Sequence, residues 1–198
     1  MRGKQGAVQD GADGRSTAAR HRAAAEKQQS RTRSAQMKGV VVVGNPKPAS
    51  RTRDAGERLL AAFEPEQSQV IELSELGAGL LGWGDPAVKA AVEQVQSADL
   101  VVFASPTFKA SYTGLLKLFL DQFAGQTGLA GVVALPLLLG GGPAHALAGE
   151  FTLKPVLAEL GGIVPVQSLY LIDSSYTEDG AMERWLGQWG GVVRRLLA

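Results

Sequence analysis

Five short apolar runs, alternating with amphipathic helical stripes, most constrain what this chain can fold into. The first, residues 39–43 (GVVVV), is too short for a helix and is bounded by Gly44, so it reads as a buried parallel strand. Pro46 and Pro48 keep the following loop out of helix. Ser50 then stands as an N-cap, and Ala55, Leu59 and Phe63 recur at helical spacing. Residues 69–73 (QVIEL) alternate like an edge strand. Residues 74–84 read as a long loop, a candidate binding lid, in which Trp83 is a packed anchor in preference to a cover for an aromatic ligand. Asp85 caps the next helix, Pro86 opens it, and Val88, Ala91, Val92 and Val95 form its stripe.

The pattern then repeats. Residues 99–104 (DLVVFA), 132–139 (VVALPLLL) and 164–172 (VPVQSLYLI) read as the third, fourth and fifth strands. Between the third and fourth, Tyr112, Leu115, Leu116, Phe119 and Phe123 share one helical face, with Lys117 and Asp121 paired on the other. Pro136 lacks a ladder donor, which predicts a bulge in the fourth strand. The stripe after it slips phase between Phe151 and Leu153 and contains Pro155, which predicts a kink or a π-type bulge over residues 150–153. Thr177 or Asp179 caps the last helix, whose stripe is Met182, Trp185, Leu186, Trp189, Val193 and Leu196.

Strands alternating with helices predict a three-layer α/β sandwich around a five-stranded parallel sheet in the order 2-1-3-4-5. In that order the loops after strands one, three and four emerge at one carboxyl edge, over the switch point where such sheets bind ligands. The first of these loops begins a helix, whose N–H groups suit an anion with Ser50, Arg51 and Thr52; on these residues alone a plain βα turn without a ligand stands equally beside it. It carries neither G-x-G-x-x-G nor G-x-x-x-x-G-K-[ST], so a dinucleotide fingerprint and a P-loop are excluded. A phosphate held by hydroxyl, N–H and guanidinium suits a mononucleotide. Pro106, Thr107 and Phe108 can line a flat heterocycle, and the glycines at 140–142 let backbone approach it.

Composition narrows the chemistry. The chain has 198 residues, enough for one well-buried domain. It has no cysteine and two histidines, His21 and His145, so thiol chemistry is excluded and no metal site is expected. No apolar run approaches the ~20 residues of a membrane span. Residues 1–36 hold 8 Lys/Arg against 3 Asp/Glu and lack Leu, Ile and aromatics, so they read as a disordered basic extension. Met37 directly before the first strand makes an upstream start the plainer reading, against a basic arm for anionic surfaces. Residues 37–198 hold 12 against 16 and are mildly acidic, which argues against a nucleic-acid surface there.

Three stretches in order, VVVGNPKPASRT, FASPTFKASYTGLLKLFLD and LAGVVALPLLLGGGPAHALAGEFTLKPVLAEL, resemble the NAD(P)H-dependent FMN reductase family. Within it the resemblance is to the alkanesulfonate-type reductases, which supply reduced flavin to a partner monooxygenase. The likeness spans about residues 38–172. It implies a flavodoxin-like fold, cytoplasmic location, homodimers or homotetramers, and FMN with NAD(P)H at the carboxyl edge. By the same resemblance Asn45, Ser50, Arg51 and Thr52 would take the FMN phosphate. Pro106, Thr107, Phe108 and Lys109 would lie along the isoalloxazine and ribityl chain, and Gly141, Gly142 and His145 would border its other side. Asn45 stands where the family usually has Ser, and Phe108 and Phe151 where it often has Tyr. The Phe151 position is implied to lie in a π-bulged helix at the subunit interface.

Hydride transfer from nicotinamide to flavin needs stacking and orientation more than acid–base groups. The sequence offers no catalytic constellation of Asp, Glu, His and Lys to contradict that. His145 otherwise caps a helix start, and Lys109 is otherwise a solvated loop charge. Three alternatives stand beside the reductase: a quinone- or azo-type reductase with bound FMN, a flavodoxin-like electron carrier without nicotinamide chemistry, and a nucleotide-binding regulatory module that uses the basic arm.

Overall fold

The computed structural model describes residues 37–198 of the protein; the readings of residues 1–36 lie outside them. Five parallel strands form one sheet in the order β2-β1-β3-β4-β5. They are β1 Lys38–Val43, β2 Gln67–Glu72, β3 Leu100–Pro106, β4 Val133–Gly140 and β5 Leu169–Ile172. The helices are α1 Arg51–Ala61, α2 Leu73–Leu76, α3 Pro86–Gln96, α4 Gly114–Leu120, α5 Lys154–Glu159 and α6 Ala181–Leu197. The flavodoxin-like α/β sandwich expected from the alternation is the fold observed.

Strand residues alternate between two cores. Val40, Val42, Val101, Phe103, Ala134 and Leu138 face the layer of α3, α4 and α5. Val41, Val43, Leu100, Val102, Leu135, Leu137 and Leu139 face α1 and α6, where Leu59, Met182, Trp185 and Val193 are buried. This is why the three central strands are apolar through Val40–Val43, Leu100–Ala104 and Val133–Leu139. Both faces are covered, so the buried polar exception, Ser105 at the carboxyl end of β3, has its hydroxyl satisfied by the Pro106 carbonyl and the Thr113 N–H.

Local chemistry sets the helix starts. Ser50 accepts from the Arg53 N–H at 3.4 Å, and Asp85 accepts from the Ala87 and Val88 N–H groups at 2.9 and 3.0 Å. Thr113 caps α4, which its apolar stripe did not reveal. The N-cap position of the last helix is held by Gly180, in a left-handed backbone and without a side-chain cap, so neither Thr177 nor Asp179 is the cap; Asp179, one residue earlier, accepts from the Ala181 N–H through Oδ1 at 2.9 Å. The Ala181 N–H and the Ser175 hydroxyl hold the Asp179 carboxyl below its ordinary range.

Four local expectations change. Pro136 makes no bulge and stays in register opposite Phe103. The Ala134 N–H reaches Ile163 on the β5 side, so the missing Pro136 donor, two residues on, faces the same side. There the chain leaves the ladder after the Ile163 bridge and rejoins it only at Leu169, opposite Leu137. The same departure, which contains Pro165, shortens the fifth strand to Leu169–Ile172. The long loop after β2 is mostly helical turn, α2 followed by a 3₁₀ segment Gly77–Leu81. Its buried anchor is Leu80, while Trp83, between two glycines, is 76% exposed. By contrast, a π-helical turn does occupy Gly149–Leu153, where the stripe slips phase.

Candidate flavin site at the carboxyl edge

The carboxyl ends of β1, β3, β4 and β5 surround an open cavity of about 390 Å³, within the usual range for a small-molecule site. Asn45, Lys47, Ala49, Ser50, Arg51 and Thr52 line one side. Pro106, Thr107 and Phe108 line another, and Leu139, Gly140, Gly141 and Asp173 complete it. Of the residues singled out in the sequence, Asn45, Ser50, Arg51, Thr52, Pro106, Thr107, Phe108 and Gly141 are brought together here. Lys109, Gly142 and His145 are not in the lining. Lys109 sits at a hairpin tip, Gly142 is the extended residue that opens the 3₁₀ turn Pro143–His145, and His145 is exposed in that turn.

The first loop is built from the inside. Asn45 Nδ2 donates to Thr52 Oγ1 at 3.0 Å, and its Oδ1 accepts from the Lys47 N–H at 2.9 Å. Asn45 thus spends both ends of its amide on shaping the loop. Ala49 adopts a left-handed backbone, φ 49°, and its N–H donates to Glu72 Oε1 at 3.0 Å. Glu72, at the end of β2, is buried and lies 3.5 Å from Arg53 Nη1 through the same oxygen. These contacts aim the first turn of α1, with its N–H groups that lack intrahelical carbonyls, at the cavity.

The second loop is a two-residue hairpin. Phe108 and Ser111 exchange backbone hydrogen bonds of 2.9 and 3.2 Å, and Lys109 and Ala110 between them have φ 51° and 66°. Positive φ at both central positions is the type I′ geometry. The turn leaves the Phe108 ring half exposed beside the cavity. The Thr107 N–H donates to the Leu139 carbonyl at 2.6 Å, while its buried hydroxyl has no partner among the described residues. Thr113 joins this loop to the first, donating from Oγ1 to the Gly44 carbonyl at 2.6 Å. A Cβ at Gly44 would meet Leu116 Cβ at 2.7 Å, so only glycine lets β1 end against α4.

The third loop is held from β5. The Tyr170 hydroxyl donates to the Gly142 carbonyl at 2.8 Å and crosses the space a Cβ at Gly140 would fill. The Asp173 N–H donates to the Gly140 carbonyl at 2.9 Å. Asp173 is not legible as a site residue in the sequence, because nothing local marks the loop after the fifth strand as a ligand loop. Its carboxylate takes Arg51 Nη1 at 2.8 Å. The Arg51 guanidinium, expected to face a phosphate, is therefore engaged with an acid of its own chain.

A family model described as NADPH-dependent FMN reductase matches residues 37–177. The chain belongs to that family. The FMN reductase (NADPH) of Pseudomonas aeruginosa is 33% identical over 150 residues, 70% of this chain and 78% of that one. The FMN reductase (NADPH) of Escherichia coli is 43% identical over 89 residues, 45% of this chain. That match spans 46% of the Escherichia coli protein, so the chain aligns with about half of it. Among solved structures, the apo form of the NADH:FMN oxidoreductase EMOB superposes with a TM-score of 0.70 at 34% identity. The superposition covers 82% of this chain and 89% of that one.

For a member of the FMN reductase family the donor set is chemically apt. Hydroxyls at Ser50 and Thr52, helix N–H groups and Arg51 suit a phosphate. The unpartnered Thr107 hydroxyl, the exposed Phe108 face and the side-chain-free Gly140–Gly141 backbone suit a planar, hydrogen-bonding ring system. The residues present fit FMN.

Proposed function

We propose that this protein is an NAD(P)H-dependent FMN reductase that hands reduced FMN to a partner monooxygenase. The observation that carries the reading is the single cavity edge joining an anion-binding helix start to an aromatic and glycine-bordered slot. Bound FMN supplies the ring that accepts a hydride from reduced nicotinamide. The protein's part is placement. Ser50, Thr52 and Arg51 would anchor the phosphate, Thr107 would offer its hydroxyl to the flavin, and Phe108 would flank the ring. Gly140 and Gly141 would admit it against bare backbone. Neither acid nor base is required of the side chains, and the charged lining residues are Lys47, Arg51 and Asp173. Among the described residues no helix is long and apolar enough to cross a membrane. A cytoplasmic homodimer or homotetramer is part of the same proposal, supported by the resemblance and by the exposed Phe151.

The test is nicotinamide absorbance with purified protein, NADPH or NADH, and added FMN. Oxidation that rises and saturates with FMN is expected. Oxidation that needs an added quinone or azo acceptor, with FMN retained by the protein, would replace this reading with a bound-flavin reductase. No oxidation with any acceptor would leave only a carrier.

A further inference from the structure

We propose that Asp173 is a built-in competitor of the FMN phosphate, which holds Arg51 and thereby keeps flavin affinity low. The proposal rests on the phosphate assignment above and adds a residue with the opposite sign to it. Asp173 follows the last residue of β5, and its N–H to the Gly140 carbonyl, 2.9 Å, fixes its backbone beside the glycine loop. From there one Arg51 nitrogen is taken twice, by Asp173 Oδ2 at 2.8 Å and by the Asp173 carbonyl at 3.0 Å. The two residues are 122 positions apart, so the fold itself brings this pair together.

A carboxylate in the lining of an anion site works against the ligand in two ways. It occupies the cation the ligand needs, and it repels the ligand's charge. Among the described residues the charged lining is two cations and this one acid, so half of that cationic charge is already answered within the chain. A phosphate of nearly two negative charges outbids one carboxylate, but only after detaching it. The side chains are 60% and 42% exposed, so the pair is worth little, and its effect on affinity is modest. Modest weakening is what a reductase that releases its flavin requires. A bound-flavin enzyme has no use for it.

The experiment titrates FMN and riboflavin into the full chain by flavin fluorescence, for wild type, R51A, D173N and the double variant. Asp173→Asn should tighten FMN about two- to fivefold, the range of a partly exposed ion pair. Riboflavin, which has no phosphate, should bind D173N and wild type alike. Arg51→Ala should weaken FMN, and in that background D173N should tighten it less than in wild type, because only the direct repulsion is left to relieve. Asp173→Ala, which also removes the Oδ acceptor, should tighten FMN at least as much. R51A with wild-type FMN affinity would overturn the phosphate assignment, and the competitor with it. R51A weakened but D173N unchanged or weaker would overturn the competitor alone. Equal tightening of riboflavin, or equal tightening by D173N with and without Arg51, would also overturn it.

Discussion

Glu72 shows how one buried side chain sets a loop. A left-handed alanine costs roughly 1–2 kcal/mol, so something must hold Ala49 at φ 49°. Glu72 Oε1 does this through the Ala49 N–H, with Arg53 nearby to compensate its charge, while Oε2 is buried without a hydrogen-bond partner. A glutamine keeps an acceptor at that place and an alanine does not. Glu72→Ala should therefore cost about 1–3 kcal/mol in urea unfolding and weaken FMN binding in a fluorescence titration. Glu72→Gln should stay much closer to wild type in both. Equal behaviour of the two variants would show that Glu72 does not hold Ala49. Nothing in the sequence separates this glutamate from its exposed neighbours. It lies on an edge strand, and its partner is a backbone N–H 23 residues away.

Elements were legible where the signal is local. Asp85–Pro86, Ser50 and the phase slip at residues 150–153 are read within one or two turns of chain, and each is where the sequence places it. Pro136 and the fifth strand were misread because the partner strand decides which N–H groups are needed. The Lys109–Ala110 turn was missed because the type I′ geometry favours Asn-Gly, and neither residue announces it. That mismatch makes a prediction. Replacing Lys109 with Asn and Ala110 with Gly should stabilise the domain by about 1 kcal/mol in urea unfolding. No gain would mean that the chain around Phe108 does not hold this geometry in solution.

The π-helical turn carries a second prediction at this scale. Burial pushes the Glu150 carboxyl up, but hydrogen bonds from Lys154 and the Ser168 N–H outweigh it and hold it below its ordinary value of 4.5. A carboxyl whose folded pKa is depressed contributes stability that is fully present above the unfolded pKa. That contribution is lost as pH falls through the folded one. Between pH 6 and roughly pH 3 the wild type should lose more stability than Glu150→Gln. Chemical denaturation at stepped pH measures this, and parallel curves would remove Glu150 from the acid response.

The same turn decides what the whole molecule shows to its surroundings. An inserted residue rotates the positions within it by roughly 100° about the helix axis. Leu153 and Leu157 keep the buried stripe, and Phe151 leaves it, 72% exposed with Leu147 beside the same turn at 52%. The Lys154 N–H closes the π turn by reaching back to the Gly149 carbonyl. A large aromatic held outward by an irregular turn has no use in a monomer's core. We infer that it packs against a second copy, as the resemblance implies for this position. Light scattering should then give a dimer or tetramer for the wild type. Phe151→Glu should give a smaller species at the same concentration, with an unchanged far-UV circular dichroism spectrum. Because the turn leads out of the Gly140–Gly142 loop, the smaller species should also bind FMN less tightly. A wild-type monomer, or an F151E variant of unchanged mass, would remove the interface role. The phase slip would then be a purely local adjustment ahead of Pro155.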